Sequence, residues 1–137
     1  LLDIGSVSKM FTAAAVLALQ DDGKLSIDDP IGKHVAYLGE RGKAITLRHL
    51  LTHTAGLDDT RALQRLNYPD PDEAVALAIE AEPVAPPGED FRYSNAGYVV
   101  LAAIVQRVAK QDFQRFVVER VFRPAGMKDT GFIGGLG

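Results

Sequence analysis

The run Met10–Leu19 is broken by one polar residue, Thr12, and it constrains the fold more than any other stretch of the chain. From Ser6 to Asp22 the sequence reads as a helix, with Met10, Phe11, Ala13, Ala14, Ala15, Val16, Leu17, Ala18 and Leu19 making it apolar almost all the way round. A helix with one wet side carries a regular polar stripe. This one does not, so it calls for cover on several faces. The run is too short for a bilayer, which needs about 20 apolar residues, and no charged leader with a small-residue cleavage site precedes it. It reads as the core helix of a globular domain with no membrane span.

Other segments are placed to pack on it. Gly23, after Asp21 and Asp22, is a left-handed helix stop, and Lys24 to Pro30 reads as a loop. Thr46 caps a short helix from Leu47 to about His53, with Gly56 just beyond. Asp70, Pro71 and Glu73 combine a carboxylate cap, a proline at the first helical position and an early acid, and they open a helix running to about Glu82. Pro86-Pro87-Gly88 is a rigid turn. Asn95 to about Lys110 and Phe113 to about Phe122 read as two further helices, and the glycine-rich end, Gly131 to Gly137, reads as a loop or an edge. Strand signal is nearly absent. The expected fold is mainly α.

Charge narrows the function classes. Fifteen basic and eighteen acidic residues give a net charge of −3, with no basic stripe for nucleic acid and no polybasic patch for a membrane surface. Without cysteine there is no disulfide, thiolate metal site or cysteine nucleophile. No cofactor is called for.

Two patterns carry chemistry. In Gly5-Ser6-Val7-Ser8-Lys9, Ser6 and Lys9 are three apart at the head of the apolar helix and share one face. A serine hydroxyl attacks only when a neighbouring base takes its proton. Lysine serves when neutral, and burial and the positive end of a helix dipole both push its pKa down. The same helix end offers backbone N–H groups to an oxyanion beside Ser6. The blander reading is a serine cap and a lysine reaching for water. In the second pattern, Phe91-Arg92-Tyr93-Ser94-Asn95, Tyr93 can move a proton if a cation lowers its pKa, and Asn95 can donate to a carbonyl. Its blander reading is a packed tyrosine and an asparagine helix cap. Ser8 and Ser94 would line the same cleft. His49 and His53 have metal-ligand spacing, yet Leu50 stands where a zinc protease needs Glu, so no metal is expected and both histidines are expected to satisfy backbone carbonyls.

These motifs, with Asp22-Gly23-Lys24-Leu25, Asp28-Asp29-Pro30, the segment Ile45 to Leu57 (ITLRHLLTHTAGL) and Pro124-Ala125-Gly126-Met127 followed by Asp129-Thr130, resemble the class C β-lactamase-like serine hydrolases, a group that includes penicillin-binding proteins and esterases. Ala125 stands where the family pattern has leucine. The resemblance implies acyl transfer through a covalent intermediate on a lactam, ester or D-Ala-D-Ala-type peptide carbonyl, with esterase or β-lactamase-like chemistry favoured. Ser6 would attack, Lys9 and Tyr93 would move protons, Asn95 would hold substrate, and the Ser6 N–H would be one oxyanion donor. The competing function is a catalytically silent relative serving as a binding or scaffolding module. The family points weakly to a periplasmic or secreted location and leaves the cytoplasm open.

The resemblance also implies that residues 1–137 are a single partial domain: the helical, nucleophile-bearing portion of an α/β β-lactamase/transpeptidase-like fold. Its antiparallel sheet and third motif, K-T-G or H-x-G, would lie outside the chain. The sheet segments, from the same protein or another chain, would then be its partners. Without them the chain should expose a contiguous apolar patch, lack a complete oxyanion hole and show little activity.

Overall fold

The computed structural model describes residues 2–59 and 70–133. Helix α1 (Lys9–Asp21) is preceded by a 3-10 turn, Gly5–Ser8, and so begins later than the expected Ser6 start. Two short 3-10 turns follow, Ile31–Lys33 and Ala36–Leu38, then α2 (Gly39–Ala44) and α3 (Leu47–Leu51). Beyond them lie α4 (Pro71–Glu80), α5 (Asn95–Ala109) and α6 (Phe113–Val117), which runs into a single wide turn of π type, Val118–Phe122. Among the described residues the one β-type pairing is an isolated antiparallel bridge between Pro30 and Thr46. The glycine-rich end from 134 onward lies outside the described residues.

Helix α5 is the hub. Ala96, Gly97, Val100, Leu101, Ala103, Ile104 and Val105 are buried along it, and α1, α3, α4 and α6 all pack against it. Helix α4 begins as the sequence indicates, with Asp70 accepting from the Asp72 N–H and Pro71 in the first turn. It stops at Glu80, short of Glu82, where the Arg41 guanidinium donates to the carbonyls of Ile79 and Ala81. Those carbonyls would otherwise lack an intrahelical partner. The end of α1 is closed by Gly23 N–H to the Gln20 carbonyl and Lys24 N–H to the Leu19 carbonyl, both 2.9 Å. That is the Schellman arrangement expected of a glycine after a helix.

Helix α1 buries Ala15, Val16 and Leu19 against α5, but Val7, Met10 and Leu17 on another face remain 57%, 60% and 44% exposed. Among the described residues one apolar stripe of the helix and its leading turn is thus left open. None of the described helices is long and apolar enough to cross a membrane.

The loop before α3 is fixed by Asp29. Its carboxylate accepts from the Ser26 N–H (2.9 Å), the Lys33 ammonium (2.8 Å) and His34 Nε2 (3.0 Å), while its carbonyl accepts from the Leu47 N–H. Burial pushes the Asp29 carboxyl up, but the bonds from Lys33, Ser26 and His34 outweigh it and hold it at about 2. A carboxyl lowered on folding stabilises the fold above its unfolded value, 3.8, and that contribution is lost as pH falls through about 2. The shift corresponds to roughly 2 kcal/mol. Asp29→Asn should therefore lower stability by about that amount at neutral pH. In urea unfolding, the gap between variant and parent should close as pH falls across that window. A gap unchanged down to the acid end would show that Asp29 does not act through its charge.

Candidate active site

Ser6 is exposed in the 3-10 turn, and the turn explains its geometry. With three residues per turn, side chains at i and i+3 are eclipsed, so Lys9 sits directly over Ser6 and its Nζ donates to Ser6 Oγ at 3.3 Å. Lys9 is half-buried where α1 begins. Its Nζ also donates to Asn95 Oδ1, 86 positions away, at 2.7 Å. An ammonium has only donors, so the Asn95 oxygen must face it, and the amide NH2 is left to point elsewhere. Asn95 is the first residue of α5. The cap of that helix is Ser94, whose hydroxyl accepts from the Gly97 N–H at 3.0 Å, so the blander reading of Asn95 as the cap gives way.

Tyr93 is 49% exposed, with Lys9 Nζ 4.8 Å from its ring centre and 5.8 Å from that of Tyr98. Hydrogen bonding with Lys9 first, then with Ser6, draws the Tyr93 phenol below its ordinary value of 10.0; the smaller effects of burial and of the Asp59 charge oppose this. The structure therefore brings Ser6, Lys9, Tyr93 and Asn95 into one cluster from two distant segments.

Two other expectations fail. Ser94 does not line the cleft: it is buried, and its hydroxyl is used by the cap and by Asp59. Ser8 instead lines an apolar groove of about 290 Å³ with Phe11, Phe113, Phe122 and Phe132, which Ser6 does not reach. Neither His49 nor His53 is bonded as expected. Each Nδ1 accepts a backbone N–H, from Thr46 (3.3 Å) and from Ser94 (3.1 Å) respectively. Helix α3 ends at Leu51, and His53, at φ 58°, has left it, so the two histidines do not share a helical face.

His53 was missed as part of the site. Its ring stacks on Tyr93 at 4.5 Å and 28° and on Tyr98 at 5.1 Å and 29°. Burial, then the Lys9 charge, pushes its pKa down, which favours the neutral ring that an accepting Nδ1 requires. Asp59 was missed entirely. Its carboxylate accepts from Ser94 Oγ (2.7 Å), Asn95 N (2.7 Å) and Ala96 N (3.1 Å). The one available signal was a carboxylate shortly after the ITLRHLLTHTAGL segment, and a second acid, Asp58, stands beside it.

A mainly helical body that sets a serine–lysine turn against a Tyr-Ser-Asn corner defines the class of protein. The family model "Beta-lactamase" matches residues 1–135, and the chain belongs to the beta-lactamase family. Penicillin-binding protein 4* of Bacillus subtilis (strain 168) is 32% identical over 95% of this chain and 30% of its own length. A D-stereospecific amidohydrolase from Streptomyces superimposes with a TM-score of 0.78 at 30% identity, over 91% of this chain and 42% of its own. The D-alanine carboxypeptidase AmpC from Burkholderia cenocepacia gives 0.76 at 31% identity, over 92% and 34%. The chain spans 28% to 32% of the length of three curated relatives it matches.

Proposed function

We propose that the protein is a serine hydrolase acting through an acyl-serine intermediate, with Ser6 as nucleophile. The observation that carries this reading is the position of Lys9 Nζ, bonded at once to Ser6 Oγ and Asn95 Oδ1 beside a phenol of lowered pKa. Ser6 Oγ attacks the carbonyl carbon and its proton passes to the Lys9–Tyr93 pair. The Ser6 N–H is one donor to the oxyanion, and the Asn95 NH2 binds a substrate carbonyl. The pair then protonates the leaving group. Water attacks the acyl-serine, Tyr93 takes the water proton, and the Oγ–acyl bond breaks as that proton is returned through the pair to Ser6 Oγ, which frees the acid product and restores the site. The substrate is a lactam, ester or D-Ala-D-Ala-type peptide carbonyl, in keeping with the amidohydrolase and carboxypeptidase among the structural neighbours.

Tyr93→Phe tests the assignment, because the ring stays and only the proton-transfer group goes. In the complete encoded protein, Ser6 should still acylate while deacylation slows about 10²–10⁴-fold, the range of general acid–base contributions. A base works deprotonated, so parent deacylation should rise with pH through a midpoint below the ordinary phenol value. That limb should vanish in the variant. Rapid-quench measurement of acyl-enzyme decay reads both effects. Parent-like decay in Tyr93→Phe would remove Tyr93 from the chemistry. Failure of a fluorescent penicillin or a fluorophosphonate to label Ser6 would favour a binding module.

A further inference from the structure

The N–H groups that open a helix have no partner within it. At the head of α5 a single local cap, Ser94, takes one of them, that of Gly97. The three before it are taken by two side chains that come 36 to 41 positions earlier in the chain. His53 Nδ1 accepts from the Ser94 N–H at 3.1 Å, and the Asp59 carboxylate accepts from the N–H groups of Asn95 (2.7 Å) and Ala96 (3.1 Å). Asp59 also accepts from Ser94 Oγ at 2.7 Å. This excess over an ordinary cap falls on the two residues that meet Lys9. Tyr93 directly precedes the amide held by His53, and Asn95 carries the amide held by Asp59. The His53 ring also backs the Tyr93 ring.

We infer that His53 and Asp59 are positioning residues, a polar clamp that holds Tyr93 and Asn95 in register with Ser6 and Lys9. The inference rests on the acyl-serine reading above. Deacylation needs the phenol within hydrogen-bond reach of the attacking water, and a misplacement of about 1 Å can cost on the order of 10²-fold. The clamp has an electrostatic signature as well. Tyr93 faces Lys9, Ser6, His53, Tyr98 and Asp59; the neighbouring Lys9 ammonium and Ser6 hydroxyl draw its pKa down, while the Asp59 charge pushes it up. Removing that charge should move the Tyr93-dependent limb to lower pH, even as the loosened loop lowers the plateau.

The test follows acylation and deacylation of the complete encoded protein by p-nitrophenyl acetate, across pH, in three variants. Asp59→Asn removes the charge and puts an NH2 against backbone donors. His53→Phe keeps a flat ring beside Tyr93 but has no acceptor for the Ser94 N–H. Asp70→Ala is the control, since it removes a carboxylate cap from α4 and leaves the cluster intact. Asp59→Asn should deacylate about 10- to 100-fold more slowly, with its limb at lower pH, and His53→Phe about 10-fold more slowly. Asp70→Ala should lose melting temperature while deacylating within about threefold of the parent. Parent-like deacylation and an unshifted limb in both site variants, with Ser6 acylating normally, would overturn the clamp alone. Slowing in only one would overturn the pair and leave that residue the role. Should Asp59→Asn fail to fold, His53→Phe decides on the same criterion. A parent that never acylates would overturn the acyl-serine reading and the clamp with it.

Discussion

Ser6→Ala should abolish turnover in the complete encoded protein, by at least about 10⁴-fold, because it removes the hydroxyl that carries the acyl group and that Lys9 Nζ is bonded to. Lys9 would keep its bond to Asn95 Oδ1 and lose only the one to Ser6 Oγ. Since Ser6 is exposed and none of the residues of its turn is buried, unfolding stability should stay within about 0.5 kcal/mol of the parent. Loss of activity without loss of stability is the combination that marks a nucleophile. Turnover surviving at more than about one part in a hundred would place the chemistry elsewhere.

The largest effect on stability should come from Gly56→Ala. Gly56 lies at φ +70°, and a Cβ built there would stand 1.9 Å from the Ala85 carbonyl oxygen. Its own carbonyl accepts from the Val84 N–H at 3.0 Å, which ties the two backbones together. The left-handed conformation alone costs an alanine about 1–2 kcal/mol. Forcing the backbone at 84–85 aside adds to this, for a total of about 3–5 kcal/mol. Gly23 is the internal control: it has the same φ of +70° with nothing within 4 Å of its Cβ position, so Gly23→Ala should show only the conformational cost. Urea unfolding of the two variants separates the contributions. Equal losses would mean that the contact with Ala85 carries no energy. Gly56 stands between His53 and Asp59, so any Gly56→Ala protein that folds should also deacylate slowly.

The chemistry-bearing residues could be read from the sequence because their cues are local. Ser6 and Lys9 are one helical turn apart, and Tyr93 and Asn95 flank a capping serine at a helix start that a Pro-Pro-Gly turn announces. That the two patterns meet was legible through the family resemblance alone, since 86 positions separate Lys9 from Asn95. The residues that hold the pieces in place left no such cue. Asp59 acts on backbone N–H groups, which every sequence has, so its partners could not be named in advance. The expectation for His53 fails because α3 stops at Leu51, and the chain turns left-handed at His53 and stacks its ring on Tyr93. Helix α2 escaped notice for a related reason. It carries two glycines, which disfavour a helix, yet Gly42 is glycine for packing, since a Cβ there would lie 2.9 Å from Gly32 Cα. Tertiary contact set those choices, and propensity did not.

The acyl-serine mechanism requires that Ser6 carry the acyl group during turnover. Treating the complete encoded protein with a fluorescent penicillin and with p-nitrophenyl acetate, quenching during the reaction and mapping the modified peptide by mass spectrometry gives the answer. The expected result is one acyl group per chain, on the peptide that contains Ser6, decaying at the rate of turnover in the parent and persisting in Tyr93→Phe. Hydrolysis of either compound with Ser6 unmodified throughout, or an acyl group carried by a different residue, would contradict it.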